Sequence, residues 1–271
     1  MPTRVGACPL YRNHISYGRS AASFGGDADR YDRARPRYPA ALIDRIVATA
    51  PGREVLDVGV GTGIAARQLR DAGCKVLGVD VDPRMAEVAS GRYGIDTEVA
   101  RFEEWDPAGR SFDAVVAGQT WHWVDPAAGA TKAAEVLRPR GRIALFWNAL
   151  QPTPELAEAL ARAHREALAD TPGIPWTAQS SGDAYGQITA KAAEGLRGTG
   201  AFSDPEDWRY EWDHDYTRDQ WLDLVPTTGL YTRLPPEPLQ RLLDRTGAAI
   251  DALGGGFRLH YTTVATVASR R

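Results

Sequence analysis

The residues with the plainest chemistry are Asp57-Val58-Gly59-Val60-Gly61-Thr62-Gly63, an acid followed by a Gly-x-Gly-x-Gly run. Glycines let a backbone approach a ligand closely, and a helix starting there offers unpaired N–H groups and a partial positive charge, which suits an anionic group. In a dinucleotide-binding protein that group is a pyrophosphate, and the fingerprint requires glycine or alanine at the sixth position from the first glycine. Here that position is Ile64, so the dinucleotide fingerprint fails. A second acid, Asp80, stands 21 residues after Gly59, where a carboxylate accepts hydrogen bonds from both hydroxyls of a ribose. The pair implies a nucleoside-bearing ligand, whereas a lone glycine turn is compatible with binding nothing.

A second cluster is Gly118-Gln119-Thr120-Trp121-His122-Trp123-Val124-Asp125. It follows an apolar run that reads as the fourth strand, at the sheet edge where open α/β folds bind ligands. His122 has two readings: an imidazole base for a phenol or alcohol acceptor, or a ring that bonds a backbone carbonyl and shapes the pocket. A carboxylate acceptor, already ionised at neutral pH, needs no base. Tryptophans 121, 123, 147, 176, 208, 212 and 221 invite an aromatic box, but packing is the stronger expectation. His164 lies among charged neighbours and is expected in solvent, while His214 and His260 lack metal-ligand spacing. Cys8 and Cys74 form no Cys-x-x-Cys or Cys/His pattern, so neither a disulfide framework nor a metal site is expected, and a reducing cytoplasm fits.

The elements that must carry these residues alternate strand and helix from 54 to 147, the pattern of a parallel sheet with crossover helices. Strands are expected at 54–58, 75–80, 97–100, 113–117 and 142–147. Helices are expected at about 62–71, from Pro83 behind the Asp82 cap to about 90, and at 126–137. After Asn148 the pattern changes: 154–169 is an amphipathic helix, and 171–200, rich in Gly, Pro, Ser and Thr, reads as an interruption of the core. Segments 208–216 and 257–268 alternate apolar and polar residues, as a closing antiparallel pair would, with helices near 217–225 and 236–253 between them. The expected organisation is a covering segment (1–40), a ligand-binding core (41–148), a lid (149–205) that sets specificity and a completing segment (206–271).

The 271 residues suffice for a single large α/β core. A formal charge of −3, with basic residues scattered among acids, gives no nucleic-acid footprint. No apolar run is long enough to span a bilayer, and residues 1–20 do not read as a secretory signal.

The motifs EVLDVGVGTG and VLGVDVDPRM resemble those of the class I S-adenosylmethionine-dependent methyltransferases. The resemblance implies a Rossmann-like, doubly wound, seven-stranded and mostly parallel sheet with an antiparallel edge strand and a helical lid. It implies further that Asp57, Gly59, Gly61 and Gly63 surround the methionine part of the cofactor, that Asp80 holds the ribose, and that Val81 and Met85 flank the adenine. Phe102 and Glu103 would border the adenine edge, where Arg101 replaces the usual acid. The segment Q-x-x-H-W-x-D at 119–125 resembles the trans-aconitate-methyltransferase-like subgroup, as does FGGDADRYDRARPRYP at 24–39. Tyr31 and Arg35 would then fold over the cofactor, with Arg35 facing its carboxylate and Gln119 its amino group. The likeness continues more weakly through RDQWLDLVPTTGLYTRLP and the terminal VASRR, leaving 149–205 open. The implied activity is methyl transfer to a small molecule, with a carboxylate or hydroxyl favoured, by a monomer or homodimer. An NAD-dependent oxidoreductase is disfavoured by Ile64 and by the lack of a Tyr-x-x-x-Lys pair. A cofactor-binding protein without catalysis is the third reading.

Overall fold

The computed structural model describes residues 24–170, 181–229 and 231–271. The expectations on Cys8, Trp176 and the amino-terminal stretch lie outside the described residues. Seven strands, β1 (Glu54–Val58), β2 (Lys75–Asp80), β3 (Asp96–Val99), β4 (Phe112–Gly118), β5 (Leu137–Gln151), β6 (Glu206–Thr217) and β7 (Gly256–Ser269), form one sheet in the order β3-β2-β1-β4-β5-β7-β6. Strands β1 to β5 pair in parallel. The antiparallel member is β7, which lies one strand in from the edge, between β5 and β6, instead of at the edge itself.

The helices are α1 (Ala28–Ala34), α2 (Ala40–Thr49), α3 (Ile64–Asp71), α4 (Pro83–Tyr93), α5 (Pro126–Val136), α6 (Pro154–Leu168), α7 (Ser181–Gly198), α8 (Arg218–Leu224) and α9 (Pro236–Ala252). Strands β1 and β2 have the expected bounds, because their apolar runs are closed by Arg53 and the glycine loop, and by Gly73 and Asp82-Pro83. The Asp82 side chain accepts the Arg84 N–H and Pro83 opens α4, as capping chemistry requires. Strand β5 is far longer than expected. Its far half pairs with β7 from Asn148↔Thr263 to Gln151↔His260, and its near end follows α5 directly, across a register shift opposite Phe112 and Ala114.

One face of the sheet packs α2 and α3 over Val55, Val116, Ala144 and Phe146. The other packs α5 and α7 over Leu56, Val115, Leu145 and Val264, with Ala192 and Leu196 of α7 inside that cluster. The Gly/Ser/Thr-rich stretch therefore contains a layer of the core, carried by Tyr185, Ile188, Ala192 and Leu196. Its apolar stripe, masked by the surrounding glycines, seats on β5 and β7. Helix α6 packs on α9 in a third cluster with Trp221, Tyr231, Leu259 and Tyr261. His164 is buried there, at 2 % exposure, with Nδ1 3.0 Å from the Tyr231 hydroxyl, contrary to its expected place in solvent. Its charged neighbours mark the opposite face of α6. The expectation that tryptophans pack holds for Trp121, Trp147, Trp208 and Trp221, all buried.

The placement of α7 sets a stability test. Leu196 has no exposed surface, so Leu196→Ala should lower the free energy of unfolding by about 2–5 kcal/mol, the range for truncating a core leucine. Urea denaturation reads it, and a loss under about 1 kcal/mol would detach α7 from the sheet.

Candidate active site

The carboxyl ends of β1, β2 and β4 meet at one rim of the sheet, and the residues singled out from sequence gather there. After Val58 the chain turns through Gly59 and Gly63, whose φ angles of 67° and 86° lie in the left-handed region that favours glycine. A Cβ on Gly59 would stand 2.1 Å from Thr120 Cγ2, so the β4 loop touches the glycine loop directly. Thr120 Oγ1 lies 3.2 Å from the Gly59 carbonyl and 3.1 Å from that of Gly118, and so pins the two loops. Nothing in its type or spacing marked it for this role.

Asp80 sits between the tips of β1 and β2. Its Oδ2 accepts the Gly61 N–H and its Oδ1 the Asp82 N–H, each at 2.8 Å. Burial raises its pKa while the N–H groups of Asp82, Gly61 and Val81 oppose the rise, and the four lone-pair sites of a carboxylate leave room for a further donor. Asp57, 1 % exposed, is pushed up to about 8 by burial and then by the charge of Asp80. Its Oδ2 has no hydrogen-bond partner. A buried acceptor left unmatched is costly, and such an atom at a loop cluster marks a group completed by a ligand.

Val81 is partly buried and Met85 buried beside the same loop, with the Met85 methyl carbon 3.5 Å from where a side chain on Gly61 would start. The next predicted pair divides. Phe102 is buried against Trp121, with ring centroids 6.1 Å apart. Glu103 accepts the Asp125 N–H at 3.0 Å and faces Arg101 at 3.6 Å, so it ties the loop after β4. Gln119, left-handed at φ 57° although not glycine, donates its backbone N–H to the Phe146 carbonyl. Its side chain lies near the Tyr185 hydroxyl and reaches the Asn148 carbonyl at 3.4 Å.

His122 lies in a short 3₁₀ turn, Trp121–Trp123. The Trp147 indole N–H donates to its Nδ1 at 3.2 Å. An indole nitrogen only donates, so Nδ1 presents its lone pair and the proton of the neutral ring sits on Nε2. Burial lowers the pKa of the ring to about 4, which keeps it neutral at physiological pH. The partner of Nδ1 is thus an indole side chain, not an acid or a backbone carbonyl.

Helix α1 and residues 35–39 strap this rim. Asp32 accepts bonds from Arg67 at 2.9 Å, Arg92 at 3.3 Å and the Tyr93 hydroxyl. Tyr38 exchanges two hydrogen bonds with Gln68, and Arg33 grips Asp223 with both arms. Tyr31 packs edge-on against Phe24. Arg35 reaches the turn after α8: Nη2 donates to the Thr227 carbonyl at 2.5 Å, Nε is buried without a partner, and the residue also lines a cavity with Ile64 and Arg67 at the start of α3. Among the described residues no three His, Cys, Asp or Glu converge as a metal site requires, and no helix is long and apolar enough to cross a membrane.

A methyltransferase-domain family model matches residues 56–145, the stretch that builds this rim. An uncharacterized methyltransferase of Mycobacterium tuberculosis is 31% identical over 254 residues, covering 89% of this chain and 93% of the relative. A malonyl-[acyl-carrier protein] O-methyltransferase of Enterobacter lignolyticus is 33% identical over 144 residues, about half of each chain (51% and 57%). A solved structure from Anaeromyxobacter dehalogenans, provisionally assigned as a type II methyltransferase, shares the fold at TM-score 0.61 and 23% identity, over 86% of this chain and 97% of its own. With the mycobacterial relative matched over nearly its whole length, and the glycine loop and its paired acids standing in place, the chain belongs to the S-adenosylmethionine-dependent methyltransferase family.

Proposed function

We propose that the chain methylates an oxygen of a small-molecule acceptor, a carboxylate in preference to a hydroxyl. The observation that carries this reading is the bond from Trp147 to His122, which leaves an N–H, not a lone pair, for the acceptor. When bound, S-adenosylmethionine supplies a methyl group on positive sulfur, which transfers by in-line displacement. The chain's own work is to hold the nucleophile about 3 Å from that carbon, in line, away from water. A hydroxyl acceptor would need its proton removed, and a ring protonated at Nε2 is poorly set to take it. A carboxylate attacks through one oxygen while the other accepts the Nε2–H bond.

The residues present fit the cofactor. The orphan Asp57 oxygen suits the methionine ammonium, with Gly59, Gly61 and Gly63 allowing close approach and Gln119 beside them. The free lone pairs of Asp80 suit the ribose hydroxyls, Val81 and Met85 the adenine faces, and Phe102 and Glu103 its edge. Tyr31 closes over the methionine end. The acceptor is a small molecule and not nucleic acid, in keeping with the charge of −3, and the chain works in the cytoplasm as a monomer or homodimer. Segment 149–205 supplies selectivity through α6 and the amino end of α7, where Tyr185 meets Gln119.

Asp57 makes cofactor affinity depend on pH. Only the ionised carboxyl pairs with an ammonium, and its raised pKa means that ionisation is lost as pH falls through about 8. Affinity for S-adenosylhomocysteine should therefore rise from neutral pH toward 8, by up to about tenfold per unit. Asp57→Asn should weaken binding about tenfold or more and flatten the profile, read by calorimetry. A wild-type profile that is flat or inverted would remove Asp57 from the site.

The tautomer of His122 is directly readable. In a long-range proton–nitrogen spectrum of ¹⁵N-labelled protein, Nε2 should carry the proton and the ring should stay neutral until the pH approaches about 4. Trp147→Phe should mix the two tautomers. A ring protonated at Nδ1, or one titrating near neutrality, would restore the base reading.

A further inference from the structure

Thr120 stands between the glycine loop and the turn that carries His122, and its hydroxyl has one proton for two carbonyls. Oγ1 lies 3.2 Å from the Gly59 carbonyl oxygen and 3.1 Å from that of Gly118 at the end of β4. A hydroxyl donates a single hydrogen bond, so at any moment it serves one loop or the other. The two acceptors differ in how firmly they are held. Gly118 is fixed by the sheet: it pairs with Phe146 of β5, and a Cβ on it would stand 2.6 Å from the Tyr38 hydroxyl. Gly59 opens a turn in which Gly61 and Gly63 also have left-handed φ angles, and glycine moves through that region freely. Its carbonyl is therefore the one that a ligand ordering the turn can re-aim.

The choice of partner reaches His122 by a short path. The Thr120 carbonyl accepts the Trp123 N–H at 2.8 Å, closing the 3₁₀ turn that carries the imidazole. Gln119, the residue before it, is held left-handed at φ 57°, which a non-glycine residue adopts only where its surroundings impose it. On the other side of the turn, the Asp125 N–H is held by Glu103 at 3.0 Å. The turn thus hangs between the glycine loop and the segment after β3, the two segments that suit the methionine and adenine ends of the cofactor. Trp147 meets the ring itself from β5.

We propose that Thr120 is a positioning residue: a cofactor seated on the glycine loop turns the Thr120 hydroxyl to the Gly59 carbonyl, and the shift sets the His122 turn to receive the acceptor. The residue acts through the two loops and not on the reacting atoms. Cofactor and acceptor then strengthen each other's binding by the same factor, as coupled sites must. The proposal rests on the methyltransferase reading, because it takes the glycine loop as the cofactor's seat and His122 as the acceptor's.

The test follows ¹³C,¹⁵N-labelled protein by nuclear magnetic resonance, with and without saturating S-adenosylhomocysteine. In the wild type the ligand should move the Gly59 carbonyl carbon downfield, the direction of a gained hydrogen bond, and the Gly118 carbonyl upfield. The His122 ring nitrogens and the Trp147 indole N–H should shift with them. Thr120→Val keeps the shape of the side chain without its proton, whereas Thr120→Ser keeps the proton and drops the methyl that meets Gly59. In Thr120→Val the Gly118 response should vanish and those of His122 and Trp147 should fall to under about a third of wild type. Thr120→Ser should restore all of them. A wild type that binds S-adenosylhomocysteine without opposite movements of the two carbonyls would overturn the proposal, with no variant needed. Full His122 and Trp147 responses in Thr120→Val would also overturn it, because the ring would then sense the ligand directly, as would a Thr120→Ser that behaves like Thr120→Val. A wild type that ignores S-adenosylhomocysteine would instead sink the cofactor reading, and this proposal with it.

Discussion

The structure turns on one carboxylate. Asp80 joins the tips of two parallel strands by accepting a backbone N–H from the glycine loop after β1 and another from the turn after β2. That bridge adds to two backbone bonds, from Gly59 and Val60 to the Val79 carbonyl of β2, that hold the base of the same loop to the sheet. With it, the loop is held open toward the ligand, Gly59 lies flush against Thr120, and the β4 loop follows. Placing a negative charge there has a consequence one strand away, where Asp57 must share the same buried neighbourhood and is disfavoured as an anion.

Much of this was legible in the sequence, because backbone requirements leave unambiguous marks. Glycine where φ is positive, acid where a strand ends, and Asp-Pro where a helix starts locate β1, β2 and α4 to within a few residues. Features set by the far side of the sheet were illegible. The length of β5 comes from β7, more than a hundred residues later in the chain, and α7 shows as core only once β5 and β7 provide the apolar floor beneath its small residues. His164 read as exposed because its neighbours are charged, yet on a helix the neighbours in sequence point elsewhere. Thr120, Asn148 and Tyr185, which connect the loops of the site, are ordinary residue types at spacings that carry no signal. A buried asparagine closing the apolar run of β5 was the single available hint.

The site holds its charges apart. Two acids lie at the β1 and β2 tips, one cation lies on the strap, and between them stands an imidazole fixed in one neutral form. Among the described residues, Asp57 Oδ2 and Arg35 Nε have no hydrogen-bond partner. Buried polar atoms without partners cost stability, and their clustering at a loop rim is the pattern of a site.

The strap over this rim has a further consequence. Helix α1 contains no buried residue, and the groups that fasten it are ions and amides: Asp32 with its two arginines, Arg33 with Asp223, Gln68 with Tyr38. A cover sewn down by apolar contacts would strip grease into water each time it rose. The ties of α1 itself are largely charged, with Tyr38 beyond it packing on Phe146, so dissolved salt screens the α1 ties and leaves the Tyr38 contact in place.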